Sequence, residues 1–448
     1  CIIPSMRKRN LTILMIGIPL VCLLCALIYF LPPVNDRLAW RVDELRTRVK
    51  YALNPPEESL FIPGGEPQKN PGVTVITMTP TTADTEAPTI TPSPVGPTDT
   101  PTPTFTPTLT PTPLPESVYL QGVNYEDQHN RWNYCGPANL SMAMTYWGWD
   151  GNRDIVGESV KPNDKDKNVM PYEMQDFVSE QGNNLEAVVR IGGDIDLIKH
   201  KVAKGYPVMA EKVYYEIDYT GTLGWLGHYQ FINGYDETKQ VFIVQDTYVR
   251  PGIDTEISYE KFIEGWRSFN YLFMVVFPAE QAEEVYALLG PYADEEWANR
   301  RALEMAEAET QTLSGIDLFF AYFNIGTSHV NLGEYADATY SYDYAFETVY
   351  PSLPADGMRP YRVMWYQTWP YWAYFYSGRY QDVIDLANWT LIDTISEPVI
   401  EESFYWRGLA REALGDIQGA TDDMRQSVNL NPNFIPGWEQ LNRLTGGG

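Results

Sequence analysis

Of the four cysteines in the chain (Cys1, Cys22, Cys25 and Cys135), the first three lie in or before an apolar N-terminal run. Cys135 stands alone in the remainder, in Trp132-Asn-Tyr-Cys-Gly-Pro137. Proline fits the first helical turn, where an N–H has no intrahelical partner, so this spacing predicts a helix starting at the thiol. Unpaired N–H groups and the macrodipole at such an end favour a thiolate. Read by itself the residue could also be a buried apolar filler. A nucleophile would need a base, a group to orient that base, and donors for an oxyanion.

The base must come from four histidines, His129, His200, His228 and His329. His129 falls in a loop, His200 in a Lys-His-Lys helix end, and His329 in a helix of the C-terminal half. His228 is expected to open an apolar strand, His228-Tyr-Gln-Phe-Ile-Asn-Gly234, after the Gly-rich approach Gly224-Trp-Leu-Gly227. Asp246 ends the next strand, Gln240-Val-Phe-Ile-Val-Gln245, and a hairpin turning at 234–238 brings it back toward His228. Asp164 and Asp166 in Asn163-Asp-Lys-Asp-Lys167 resemble a calcium loop only faintly, because lysines interleave and the glycine is missing. No metal or cofactor is expected.

The elements that must hold these residues form a mixed domain over about 118–279. Helices are predicted over 136–147, 171–181 and 195–204, and strands over 207–210, 228–234, 240–245 and 271–277. Helices first and strands later indicate an α+β arrangement. From 280 to 445 the pattern is all helical. Gly326, Gly333, Ala338, Tyr342 and Ala345 share their offsets with Gly408, Gly415, Ala420, Met424 and Ser427, with Pro432 following and a weaker copy around Gly378. This spacing resembles the tetratricopeptide repeat, implying an all-α solenoid whose concave face recruits a protein or peptide. The aromatic group Tyr361, Trp365, Tyr366, Trp369, Tyr371 and Trp372 is read as interhelix packing, with an aromatic groove as the alternative.

Ahead of these domains, residues 1–10 form a short basic N-terminus in which Met6 can serve as initiator. Residues 11–31 carry no charge and suffice to cross about 30 Å of hydrocarbon as a single transmembrane helix. Leu38, Val42, Leu45, Val49 and Ala52 give 32–54 a short helical stripe, read as a juxtamembrane amphipathic helix, with a weak dimer seam as the alternative. Residues 55–117 are rich in Pro and Thr and read as an extended spacer holding the domains outside the cell. Basic residues flank the span on both sides, so the spacer decides the expected topology: N-terminus inside, domains outside. The net charge of -27 makes the chain a poor non-specific binder of nucleic acid or of an anionic membrane, since phosphate contacts need clustered Lys and Arg.

Gln128, Cys135-Gly-Pro-Ala-Asn-Leu140, Gly227-His228-Tyr-Gln-Phe-Ile-Asn-Gly-Tyr-Asp236 and Val244-Gln-Asp246-Thr247 together resemble the bacteriocin-processing (double-glycine) cysteine peptidase-like domains of the papain-like group, over about 118–278. The resemblance implies an α+β papain-like fold with Cys135 as nucleophile, His228 as base and acid, and Asp246 as orienter. It makes the Gln128 side chain an oxyanion donor beside the Cys135 N–H. Gln128 stands seven residues before Cys135 where six is usual, so Gln121 and Asn133 are alternatives. Members of that group are usually fused to a transporter, whereas this chain shows one span and no phosphate-binding Gly-rich loop. Hydrolysis of a peptide or isopeptide bond is therefore the expectation; an inactive binding scaffold and a thiol acyltransferase are the competing ones.

Overall fold

The computed structural model describes residues 32–64, 113–181, 183–217, 223–355 and 359–446. The expected cytoplasmic N-terminus, membrane span and most of the Pro/Thr spacer lie outside them. Among the described residues no helix is long and apolar enough to cross a membrane.

Helix α1 spans Pro32–Leu53. The sheet half then holds a seven-stranded antiparallel sheet: β1 (Ser117–Tyr119), β2 (Leu185–Arg190), β3 (Val208–Ile217), β4 (Leu223–Asp236), β5 (Val241–Gln245), β6 (Thr255–Ser258) and β7 (Phe273–Pro278). The order is β2-β7-β3-β4-β5-β6, and β1 pairs with β4 beyond the point where β3 ends. Alternation along the strands divides the core. Met209, Tyr229, Phe231, Met274 and Val276 pack on α2 (Cys135–Tyr146) and the helix Pro171–Gln181. Val208, Ile232, Phe242, Phe273 and Val275 pack on the helices Ile195–Ala203 and Tyr259–Arg267.

Two expectations about strands need correction. His228 does not open a strand: β4 begins at Leu223 and carries His228 in its interior, paired with Lys212. Nor do all strands follow the helices, since β1 and β2 precede the helix Ile195–Ala203.

The C-terminal half is built of antiparallel helices, including the pairs Gly315–Asn331 with Tyr335–Asp343 and Glu401–Ala413 with Ile417–Leu430. Small residues let these pairs close. A Cβ on Gly326 would sit 2.7 Å from the Tyr342 ring, and one on Gly408 would sit 2.9 Å from Met424 Cε. Of the aromatic group, Tyr361, Trp365, Tyr366 and Tyr371 are buried in packing, whereas Trp372 is exposed. The halves share one apolar cluster: Trp225 of β4 stacks on Phe269 at 5.4 Å and on Phe320 at 5.3 Å, with Tyr366 edge-on at 5.5 Å.

The first residues of the expected spacer also belong to this body. Phe61 is buried against Phe346, ring centroids 5.2 Å apart, and Gly64 N–H donates to Asp382 Oδ1 at 2.6 Å. A large aromatic ring in a sequence otherwise of spacer composition is what ties this stretch to the core.

Candidate active site

Helix α2 begins at Cys135 itself, with Gly136 and Pro137 in its first turn. No side chain caps this end. Asn139, fully buried one turn on, donates from Nδ2 to Cys135 O at 2.9 Å and to Tyr229 O at 3.0 Å. One amide thus ties the thiol-bearing turn to the strand residue following His228.

The His228 imidazole and the backbone N–H groups of Tyr229 and Gly136 lie close enough to Cys135 to favour its thiolate. On the other side His228 Nε2 lies 3.3 Å from Asp246 Oδ1, without the alignment of a full hydrogen bond. Nε2 turned to the carboxylate leaves Nδ1 for the sulfur. His228 is 5% exposed and Asp246 0%, so the pair is shielded from solvent, while Cys135 is half-buried.

Asp246 follows β5, and its position is over-determined. Its Oδ1 accepts the N–H groups of Tyr248 (2.9 Å) and Val249 (3.1 Å). Oδ2 accepts Gln230 Nε2 at 2.7 Å and the Tyr214 hydroxyl. The Tyr214 ring also packs edge-on to the imidazole, centroids 4.9 Å apart, and Lys212 Nζ lies over that ring 4.2 Å from its centroid. Burial alone would raise the Asp246 carboxyl, but the charge of His228 and these donors hold it far below the usual carboxylate range. For His228 burial opposes the imidazolium, yet Asp246 and the Cys135 thiolate outweigh it and push the ring up to about 9. Burial likewise opposes the thiolate, and the His228 hydrogen bond and charge bring Cys135 below the ordinary thiol value. The arrangement favours a thiolate–imidazolium pair at neutral pH.

Gln128 sits against the residue after Asp246. Its N–H donates to Thr247 O at 2.9 Å, and Thr247 Oγ1 donates to Gln128 Oε1 at 2.8 Å. With Oε1 held there, the amide Nε2 is the end turned away from Thr247. Of the alternatives, Asn133 donates its amide to Asp166 O at 2.9 Å, and Gln121 is exposed beyond β1. The other histidines are engaged elsewhere: His129 Nε2 with Tyr248 O, His200 Nδ1 with Asp196 O, His329 Nδ1 with Glu334. In the faint calcium-like loop, Lys161 Nζ donates to Asp164 O at 2.7 Å, placing an ammonium where a cation would sit. Among the described residues, His329, Glu334 and Asp337 are close enough to share a metal, with Arg300 reaching Glu334 at 3.5 Å.

Sequence reasoning missed Asn139, Tyr214, Gln230 and Glu211. Gln230 could have been suspected, since two residues along a strand return to the same face as His228. Tyr214 and Glu211 depend on strand register, and Asn139 on which strand meets its helix. Glu211, paired with Tyr229, is 4% exposed, and burial followed by the Cys135 charge raises its carboxyl well above the usual range.

An antiparallel sheet whose histidine meets a helix-borne cysteine, with a carboxylate behind, defines a cysteine peptidase-like domain of α+β type. Residues 120–274 match the model of the Peptidase_C39 like family, which supports a papain-like cysteine peptidase domain over that stretch. A crystal structure of a C39-like peptidase from Bacillus anthracis also matches, at 18% identity, covering 36% of this chain and 98% of that one with a TM-score of 0.31. A search of curated proteins found no match.

Proposed function

We propose that the chain is a membrane-anchored, outward-facing cysteine peptidase, and that Cys135, His228 and Asp246 cleave a peptide or isopeptide bond. The observation that carries this reading is the single imidazole set beside the helix-borne thiol and backed by Asp246 at 3.3 Å. The Cys135 thiolate attacks the carbonyl carbon. Gln128 Nε2 and the Cys135 N–H receive the oxyanion, and the His228 imidazolium protonates the leaving amine. His228, now neutral, takes a proton from water as it attacks the acyl-enzyme. Asp246 keeps the ring oriented and its charge favourable throughout. The C-terminal helices, read as tetratricopeptide-like repeats, recruit the protein or peptide substrate, and residues 11–31 fix the enzyme in the membrane.

Labelling of Cys135 by a thiol-directed electrophile tests the site. Labelling at neutral pH should be fast in the native chain and slowed at least about tenfold in His228→Ala, as expected when a thiolate loses its base partner. Equal, slow labelling of both proteins would overturn the reading.

A further inference from the structure

Helix α1 is amphipathic in the usual sense, yet it docks with its polar side inward. Asp43 and Thr47 are 6% and 1% exposed. Lys50 Nζ donates to Ile392 O at 2.5 Å and also to Ile395 O, Tyr51 donates to Thr394 O at 2.9 Å, and Arg46 pairs with Glu397 at 3.5 Å. The apolar side faces away from the body: Val42, Leu45, Val49 and Leu53 are 48%, 63%, 53% and 75% exposed. A helix held only by packing would turn these four inward, so the orientation implies a second apolar phase outside.

Where the chain comes from says what that phase is. The uncharged run 11–31 ends one residue before α1, and Pro32-Pro33 begins the helix. Winding at about 100° per residue sets Arg41 and Arg48 along one margin of the exposed stripe and Arg46 along the other. All three are exposed; Arg46 pairs with Glu397 and Arg48 with Glu44 at 2.7 Å, so it is their stems that can lie over the acyl boundary. The far end of α1 is fixed as well. Arg359 Nη1 donates to Glu57 O at 2.8 Å, Phe61 is buried, and Gly64 is bonded to Asp382. The chain rejoins the same body at Pro115, whose carbonyl accepts the Tyr235 hydroxyl at 2.9 Å, and at β1.

We propose that the exposed face of α1 lies in the interfacial layer of the bilayer, seating the catalytic body directly on the membrane. The same body then holds the chain on both sides of the Pro/Thr-rich stretch, at Gly64 and at Pro115. The inference rests on the reading of 11–31 as the anchor, and its test separates the two. The full chain is reconstituted in phosphatidylcholine/phosphatidylglycerol vesicles carrying a photoreactive group high on the acyl chain, and adducts are mapped by mass spectrometry. Adducts are expected on 42–53 as well as on 11–31. In Leu45→Lys/Val49→Lys those on 42–53 should be lost, with adducts on 11–31 and the melting temperature retained. Adducts confined to 11–31 in the native chain would sink the interface and leave the anchor standing. Chain-to-chain links between α1 segments in place of lipid adducts would assign the face to a second copy and overturn the proposal. Adducts on neither segment would overturn both.

Discussion

Two buried carboxylates, Asp246 in the sheet half and Asp423 in the helical half, are both saturated with donors, but by opposite means. Asp423 is met by two guanidinium groups: Arg407 reaches it at 2.7 and 3.0 Å, and Arg411 at 2.7 Å. Guanidinium does not release a proton in the working pH range, so this cluster can only hold helices together. Around Asp246 the donors are two backbone N–H groups, an amide and a phenol, all neutral. Its negative charge is therefore left for titratable partners: His228, held at 3.3 Å and imperfectly aligned, and the buried Lys212, whose ammonium burial opposes and this charge supports. A carboxylate matched by fixed cations is a clasp; one held by neutral dipoles beside an imidazole can tune a proton.

Exchanging each carboxylate for its amide tests the difference most severely. Asp246→Asn should lower kcat/KM by roughly 10²- to 10⁴-fold, the usual range for losing acid–base function, and shift the melting temperature little. A loss of stability without a loss of turnover per folded molecule would reverse the assignment. Asp423→Asn should do the converse. It strands Arg407 and Arg411 without their counter-charge, which costs about 3–5 kcal/mol in a buried setting. Urea unfolding followed by helical signal should show that loss, with kcat unchanged in the molecules still folded.

The pH profile asks a finer question of the same pair. Because His228 is raised to about 9, its protonated form persists up to about pH 9 and is lost above it. Protonating the leaving amine requires that form, so kcat/KM should fall on the alkaline side by about tenfold per unit once pH exceeds about 9. Since Cys135 is lowered, the acid limb should lie below the ordinary thiol range. In Asp246→Asn the alkaline limb should move to lower pH, the charge that raised the imidazole being gone. A profile that simply rises through about 8.5, as for an unassisted thiol, would break the reading.

How much of this could be read from the chain follows from which contacts are local. The thiol at a helix start was legible because Gly136 and Pro137 act on backbone geometry within one turn. His228 and Asp246 were legible as residues because few histidines compete and a short turn joins their strands. The start of β4 was not. Gly224 and Gly227 read as loop, but a Cβ on Gly227 would sit 2.8 Å from the Tyr366 ring, so this glycine serves a neighbour distant in sequence. Strand β2 was missed because its Glu186 and Arg190 break the apolar run; it lies at the sheet edge, where such residues are tolerated. The stripe on α1 was visible in its spacing, while the direction it faces depends on Lys50, Tyr51 and Phe61 meeting the helical half. Tyr214 joins the site only through the β3–β4 register. Nothing within either strand's own sequence encodes that.

The smallest expected effect isolates burial from geometry. Arg443 forks onto Glu412 at 2.7 and 2.5 Å, as Arg407 forks onto Asp423, but the Arg443 side chain is 52% exposed against 11% for Arg407. Water screens the first pair and rehydrates either partner when the other is removed, so Arg443→Ala should cost under about 1 kcal/mol by urea unfolding. Asp423 has less recourse, because its removal leaves Arg407, 11% exposed, and Arg411, 27% exposed, with less water to rehydrate them. If Arg443→Ala destabilised the chain as much as Asp423→Asn, the fork itself would be the source of strength and burial would not. The contrast drawn for Asp246 would then weaken too, since it also rests on shielding: the influence of Asp246 on His228 is strong because both are out of water.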